Sequence, residues 1–137
     1  MDGFWLKSDL FKIEPGEDDQ TNPQRYGKQL ANWLKDKFCN LGYEAEVVPE
    51  DWGWCVICSR KPYMLWVGCG NMDIEEDISE VDPTSDEMIW HCFVTAEVSF
   101  IKKLLGRIDT SEGVNKLTNE LLHILEAEPG IRLAEAS

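Results

Sequence analysis

The chain has 137 residues, enough for one domain with its own core, and its 43% hydrophobic and 28% charged residues are typical of a globular protein. Its 26 acidic side chains outnumber 13 basic ones and give a formal net charge of -13 at pH 7. Because a negative field repels phosphate backbones and anionic lipids, this composition argues against nucleic-acid and membrane binding and favours a basic protein partner.

The location of the protein is predicted from its cysteines and its apolar runs. The first residues, Met1-Asp2-Gly3, include an acid and do not resemble a targeting signal. The longest apolar stretch, Tyr63–Cys69, is far shorter than the roughly 20 residues needed to cross a bilayer. Five cysteines, mostly within apolar runs, indicate buried reduced thiols, so we expect a cytoplasmic protein.

The first third of the chain predicts a strand and then a helix. Phe4–Ile13 is apolar enough for a strand and ends in a Glu-Pro-Gly turn. Thr21–Gln24 has the spacing of a capping box, with an asparagine that can cap a helix and a proline suited to its first turn. Apolar residues then recur at helical spacing from Tyr26 to Leu41, and Gly42 predicts the end of the helix.

The middle of the chain predicts an antiparallel meander. Three extended segments, Tyr43–Val48, Trp52–Ser59 and Tyr63–Gly68, are joined by connections too short for parallel crossovers. After an acidic stretch, the alternation in Ile89–Phe100 predicts a longer strand with one buried side. The residues expected on that buried side are Trp90, Cys92, Val94, Ala96, Val98 and Phe100.

The last quarter predicts a second helix. Asp109 and Glu112 have capping-box spacing, and apolar residues from Val114 to Leu125 follow at helical spacing. Pro129-Gly130 closes the helix, and Ile131 begins a short strand or an ordered tail. The sequence therefore predicts a single α+β domain over residues 1–137, an antiparallel sheet of about four or five strands with two amphipathic helices packed on one face.

The sequence favours neither a metal nor a cofactor. Cys55 and Cys58 have the spacing of a zinc or redox pair, but residues three apart in a strand point to opposite faces. The acids after Asn71 approach the pattern of a calcium loop, yet Glu76 stands where the sharp turn requires glycine. Gly68 and Gly70 lack the rest of a dinucleotide-binding fingerprint.

Two surface features predict protein binding. The turn Pro49–Trp54 places Trp52 and Trp54 beside Glu50 and Asp51, a combination suited to a protein-binding hot spot, although such rings also anchor hairpins to a core. No lysine or arginine occurs between Lys61 and Lys102, so the acids in this stretch are expected either to steer a basic partner or simply to form a hydrated loop. These predicted partner-binding acids are Asp73, Glu75, Glu76, Asp77, Glu80, Asp82, Asp86 and Glu87.

In its size, charge and architecture the chain resembles the small acidic immunity proteins with which bacteria neutralise toxins. The amphipathic helix around Tyr26–Leu30, the Pro49–Trp54 turn and the Asp73–Glu87 acid block carry this resemblance. It implies a non-enzymatic inhibitor that covers the active site of a basic toxin or effector.

Two other functions remain open. One is a small adaptor or chaperone-like protein that acts through a homomeric or heteromeric interface. The other is a cysteine-dependent enzyme that uses Cys69, His91 or Cys92.

Overall fold

A computed structural model of the chain describes residues 3–72, 88–99, 104, 106 and 108–134. In this part of the protein, six strands form one antiparallel sheet in the order β2-β3-β4-β5-β1-β6. Within the described ranges, two α-helices of more than three turns and a single turn of 3-10 helix at Glu17–Asp19 accompany the sheet. In chain order the elements are β1 (Phe4–Ser8), α1 (Lys28–Asn40), β2 (Glu46–Glu50), β3 (Gly53–Ser59), β4 (Met64–Asn71), β5 (Ile89–Glu97), α2 (Ser111–Ala127) and β6 (Ile131–Ala134).

The α+β class is confirmed, and the sheet is larger than the predicted four or five strands. Strands β2, β3 and β4 form the expected meander, and β5 extends it through pairing with β4. The additional strand is β6, which pairs with β1. Because β1 also pairs with β5, the first strand of the chain lies between two later strands, β5 and β6, in the sheet.

Both helices pack against the same face of the sheet. Helix α1 contacts β2, β3 and β4, and α2 contacts β5 and β6. Side chains from both helices join alternate strand residues in one core, where Leu34 and Leu121 are fully buried together with Val67. The predicted buried side of β5 is confirmed for Trp90 and Cys92, which are also in this core. The opposite face of the sheet carries the strand side chains that alternate with these core residues.

Helix α1 begins later than the capping-box pattern predicts. Residues before Lys28 form turns, and Gln24 has a left-handed φ of 66°, which is incompatible with the expected helix start. The cap comes instead from Glu17, whose carboxylate accepts hydrogen bonds from the N–H groups of Gly27 and Lys28 at 3.1 and 3.0 Å. The same carboxylate accepts the N–H of Glu14 at 2.8 Å, so this buried acid joins the 3-10 turn to the helix.

Helix α2 begins near the predicted place. Asp109 accepts a hydrogen bond from the N–H of Ser111 at 2.9 Å, and the pKa of the Asp109 carboxyl is lowered by hydrogen bonding to the Ser111 side chain and then to this N–H. Tyr43, after α1, donates a short hydrogen bond to Glu120 of α2 and so connects the two helices. Neither helix in the described part of the chain is long and apolar enough to span a bilayer.

Candidate protein-binding surface

Five rings lie together on the face of the sheet opposite α1 and α2. His91 and Phe93 are two residues apart in β5, so both point to this face, and Trp5 of β1 pairs with His91 across the strands. Trp66 comes from β4, and Trp52 comes from the turn between β2 and β3. We call this surface the aromatic face, defined by Trp5, Trp52, Trp66, His91 and Phe93.

Glycine residues in β4 make room for these rings. Gly68 pairs with Phe93 and Gly70 pairs with His91 on the same face. A Cβ added to Gly68 would overlap the Phe93 ring, so that ring lies directly over the β4 backbone. The absence of a side chain at Gly68 therefore lets the Phe93 ring lie over this backbone and reach Trp66 and Trp52.

Trp52, Trp66 and Phe93 form a compact group of three rings. Trp52 stacks on Trp66 with 5.6 Å between centroids and 24° between planes, and Phe93 lies 5.5 and 5.6 Å from the two indoles. Beneath them, Cys55 and Ile57 of β3 are only 4% and 7% exposed. Trp52 itself remains 38% exposed, so it offers a ring that is held in place on one side and open to solvent on the other.

A cleft of about 630 Å³ runs along the aromatic face. Arg25 and Asn71 line one end, and Thr95 of β5 lines the other. The Asn71 amide is buried; it accepts the N–H of Tyr26 at 3.0 Å and donates to the Gln24 carbonyl at 3.1 Å. Because these bonds hold the loop before α1 against the end of the sheet, that wall of the cleft is firmly positioned.

Carboxylates flank the three-ring group. Glu50 ends β2 and Asp51 follows in the turn, both exposed and next to Trp52. On β5, Glu97 is exposed and accepts a hydrogen bond from the indole N–H of Trp66 at 3.2 Å. Burial, and then the negative charges of Glu50 and Glu97, raise the pKa of the Cys55 thiol to about 12. The negative charges of Glu50 and Glu97 therefore both reach the Cys55 thiol, which lies beneath the rings.

The structure describes four of the sequence-predicted site residues and places them in two different settings. Glu50, Asp51 and Trp52 lie together at the exposed end of the β2–β3 hairpin. Trp54 points to the opposite side, is 3% exposed and belongs to the core, where the Lys28 ammonium lies 5.7 Å from its ring centroid. It is thus one of the rings that anchor the hairpin. The acids that lie outside the described residues are Asp73, Glu75, Glu76, Asp77, Glu80, Asp82, Asp86 and Glu87.

Most of the aromatic face was missed from the sequence. The alternation in Ile89–Phe100 predicts that His91 lies on the face opposite the buried side, but nothing local in the sequence singles out Phe93 or Trp66. The signal in the sequence is a pair of rings, His91 and Phe93, at alternate positions of one strand. Both face glycines in the neighbouring strand. Only the strand register shows that these rings meet Trp52.

Cys55 and Cys58 do not point to a common site. Cys55 lies under the aromatic face and Cys58 lies in the core, on opposite sides of β3, as expected for positions three apart in a strand. Burial raises the pKa of Cys58 to about 12 and raises that of Cys69 as well. Among the described residues, no three His, Cys, Asp or Glu side chains are grouped so that they could hold a metal ion.

Thiol labelling of the folded protein tests the cysteine-dependent enzyme. Because four cysteines are buried and Cys39 is exposed, we expect one thiol to react quickly with a neutral disulfide reagent at pH 7.5. The Cys39→Ser variant should lose this fast phase. The chain without substitutions should show all five thiols once it is denatured. A second fast thiol, at Cys69 or Cys92, would indicate a reactive cysteine and would favour the enzyme.

His91 lies between two rings of the aromatic face. Its imidazole stacks on Trp5 at 4.6 Å between centroids and on Phe93 at 5.3 Å. The Nε2 atom is buried against Gly3 and has no hydrogen-bond partner among the described residues. Burial lowers the pKa of His91 below its ordinary value. The uncharged imidazole is therefore the form that fits the aromatic face.

The stability of the protein should depend on this histidine below neutral pH. The unfolded chain binds a proton at His91 near its ordinary pKa of about 6.5, whereas the folded chain binds it only at lower pH. The free energy of unfolding therefore falls as pH decreases through this interval. Measured by urea unfolding, the free energy of unfolding should decrease less between pH 7.5 and pH 5 for His91→Phe than for the native chain. The control is His123→Gln, at an exposed histidine of α2 outside the aromatic face; an effect equal to that of His91→Phe would contradict the assignment to His91.

Comparison with models of protein families, with curated proteins and with solved structures returned no match.

Proposed function

We propose that this chain is a non-enzymatic binding protein that attaches to a basic protein partner through its aromatic face. The single observation that carries the proposal is the group of five rings on the sheet face opposite the helices, with Trp52 exposed at its edge. Large rigid rings with little conformational freedom are the side chains that dominate protein interfaces.

The charge of the molecule supports a basic partner rather than a second copy of the chain. Two copies that each carry a formal charge of -13 would repel one another as their faces approached. Glu50, Asp51 and Glu97 lie around the rings and would attract lysines and arginines. Acids at the rim speed the encounter, and the rings at the centre contribute most of the affinity.

The more specific form of the proposal is a cytoplasmic immunity protein that covers the active site of a basic toxin or effector. The resemblance in size, acidity and architecture to such inhibitors supports it, and so does an aromatic surface with acids beside it. An inhibitor of this kind needs no catalytic group of its own, which agrees with buried thiols whose pKa values are raised.

The test uses the chain as bait in lysate of its native cells, next to a variant that combines Trp52→Ala with Phe93→Ala. The proposal predicts a basic protein that is retained by the native chain and lost with the variant. Expressing that protein alone should slow growth, and co-expressing the native chain, but not the variant, should restore it. Retention by both baits would contradict the assigned surface, and binding without rescue would contradict the immunity role.

The adaptor is the second candidate, and in that function two copies would cover each other's aromatic faces. Sedimentation of the purified chain distinguishes the two functions. A monomer at all concentrations supports the inhibitor. Self-association that the Trp52 and Phe93 substitutions abolish, with no basic protein retained, would favour the adaptor.

A further inference from the structure

The Trp52 ring is held in one orientation before any partner arrives. One of its faces stacks on Trp66, and Phe93 lies at 5.5 Å, supported by the β4 backbone at Gly68. With 38% of the residue exposed, the ring offers an electron-rich surface to solvent. Little conformational entropy is lost when a ligand covers a ring that is already fixed.

Negative charge lies on both sides of this ring group. Glu50 is at the β2 edge and Glu97 is near the end of β5, and the charges of both act on the Cys55 thiol between them. Glu97 is also bonded to the Trp66 indole on which Trp52 stacks. A cation over these rings would therefore feel an aromatic quadrupole beneath it and two carboxylates beside it.

We infer that Trp52 receives a cationic side chain of the partner, an arginine, between the carboxylates of Glu50 and Glu97; this inference rests on the proposed function. Arginine fits better than lysine because its planar guanidinium stacks on an indole and keeps its N–H donors for carboxylates at the edge.

The test follows the tryptophan indole N–H signals by NMR during titration at low salt. The probe is a five-residue peptide with two arginines between glycines and blocked ends, and its control carries citrulline, which has the same shape without the charge. We expect saturable movement of the Trp52 signal with the arginine peptide and little movement with the citrulline peptide.

Two double variants with equal net charge separate a local site from general attraction. Glu50→Gln with Glu97→Gln should weaken binding of the arginine peptide about fivefold. Glu112→Gln with Glu126→Gln, at exposed positions of α2, removes the same charge elsewhere and should weaken binding less than about twofold. All four positions are exposed, so both variants should fold normally.

Equal weakening by the two double variants would overturn the inference, as would equal binding of the citrulline peptide. Movement of the Trp5 and Trp66 signals without that of Trp52 would also overturn it while leaving the aromatic face as the binding surface. The proposed function fails separately, if the basic protein retained from lysate moves none of the indole signals on this face.

Discussion

Replacing Glu17 with alanine is expected to lower the free energy of unfolding by about 3 to 5 kcal/mol. The Glu17 side chain is 2% exposed and accepts three backbone N–H groups, from Glu14, Gly27 and Lys28. Without the carboxylate, these donors have no acceptor in a site that excludes water. The first turn of α1 also loses the negative charge that complements its dipole.

Urea denaturation at pH 7.5 measures this effect against two matched variants. Glu17→Gln keeps one acceptor oxygen and should cost about 1 to 2 kcal/mol. Glu112→Ala removes an exposed acid from the first turn of α2 and should cost less than about 1 kcal/mol. A Glu17→Ala variant as stable as Glu112→Ala would show that the buried carboxylate does not hold the start of α1.

Combining Trp52→Ala with Phe93→Ala should reduce affinity for the basic partner about 100-fold, which corresponds to about 3 kcal/mol of binding free energy. The two rings contact each other and Trp66, so their loss removes exposed apolar area and leaves the Trp66 ring unsupported. Because both rings lie on the face opposite the core, the fold should survive the change.

Calorimetric titration with the retained partner gives the affinities. The control combines Leu41→Ala with Ile124→Ala in the shallow cleft between the two helices, which is also apolar and similar in chemistry. Those substitutions should change affinity by less than about threefold. If Leu41→Ala with Ile124→Ala lowers the affinity more than Trp52→Ala with Phe93→Ala, the partner binds the helices and not the aromatic face.

The local elements of this fold were predictable because each has its own pattern. Apolar residues at helical spacing identified α1 and α2, and alternation identified β5. The start of α1 was not predictable in this way, because its cap is Glu17, ten residues before Gly27 and in a separate turn. The pairing of β1 with β6 joins opposite ends of the chain, and no local signal specifies it.

The binding surface was predictable only at its edge. The turn that contains Trp52 has a recognisable composition, so two acids and one exposed ring were identified. Trp54, two residues later, looks equivalent in sequence, yet the alternation of β3 sends it into the core. The contacts of Trp52 with Trp66 and Phe93 depend on the register of three strands, and on glycine at position 68.

Hydroxyl-radical footprinting of the complex with the basic partner measures the use of the aromatic face most directly, because aromatic side chains are oxidised readily when exposed. Oxidation of Trp52, Trp66 and Phe93 should fall severalfold on binding, whereas that of Leu41 on the helical side should not change. Protection of the helical side, with Trp52 oxidised as strongly as in the free chain, would contradict the proposed binding surface.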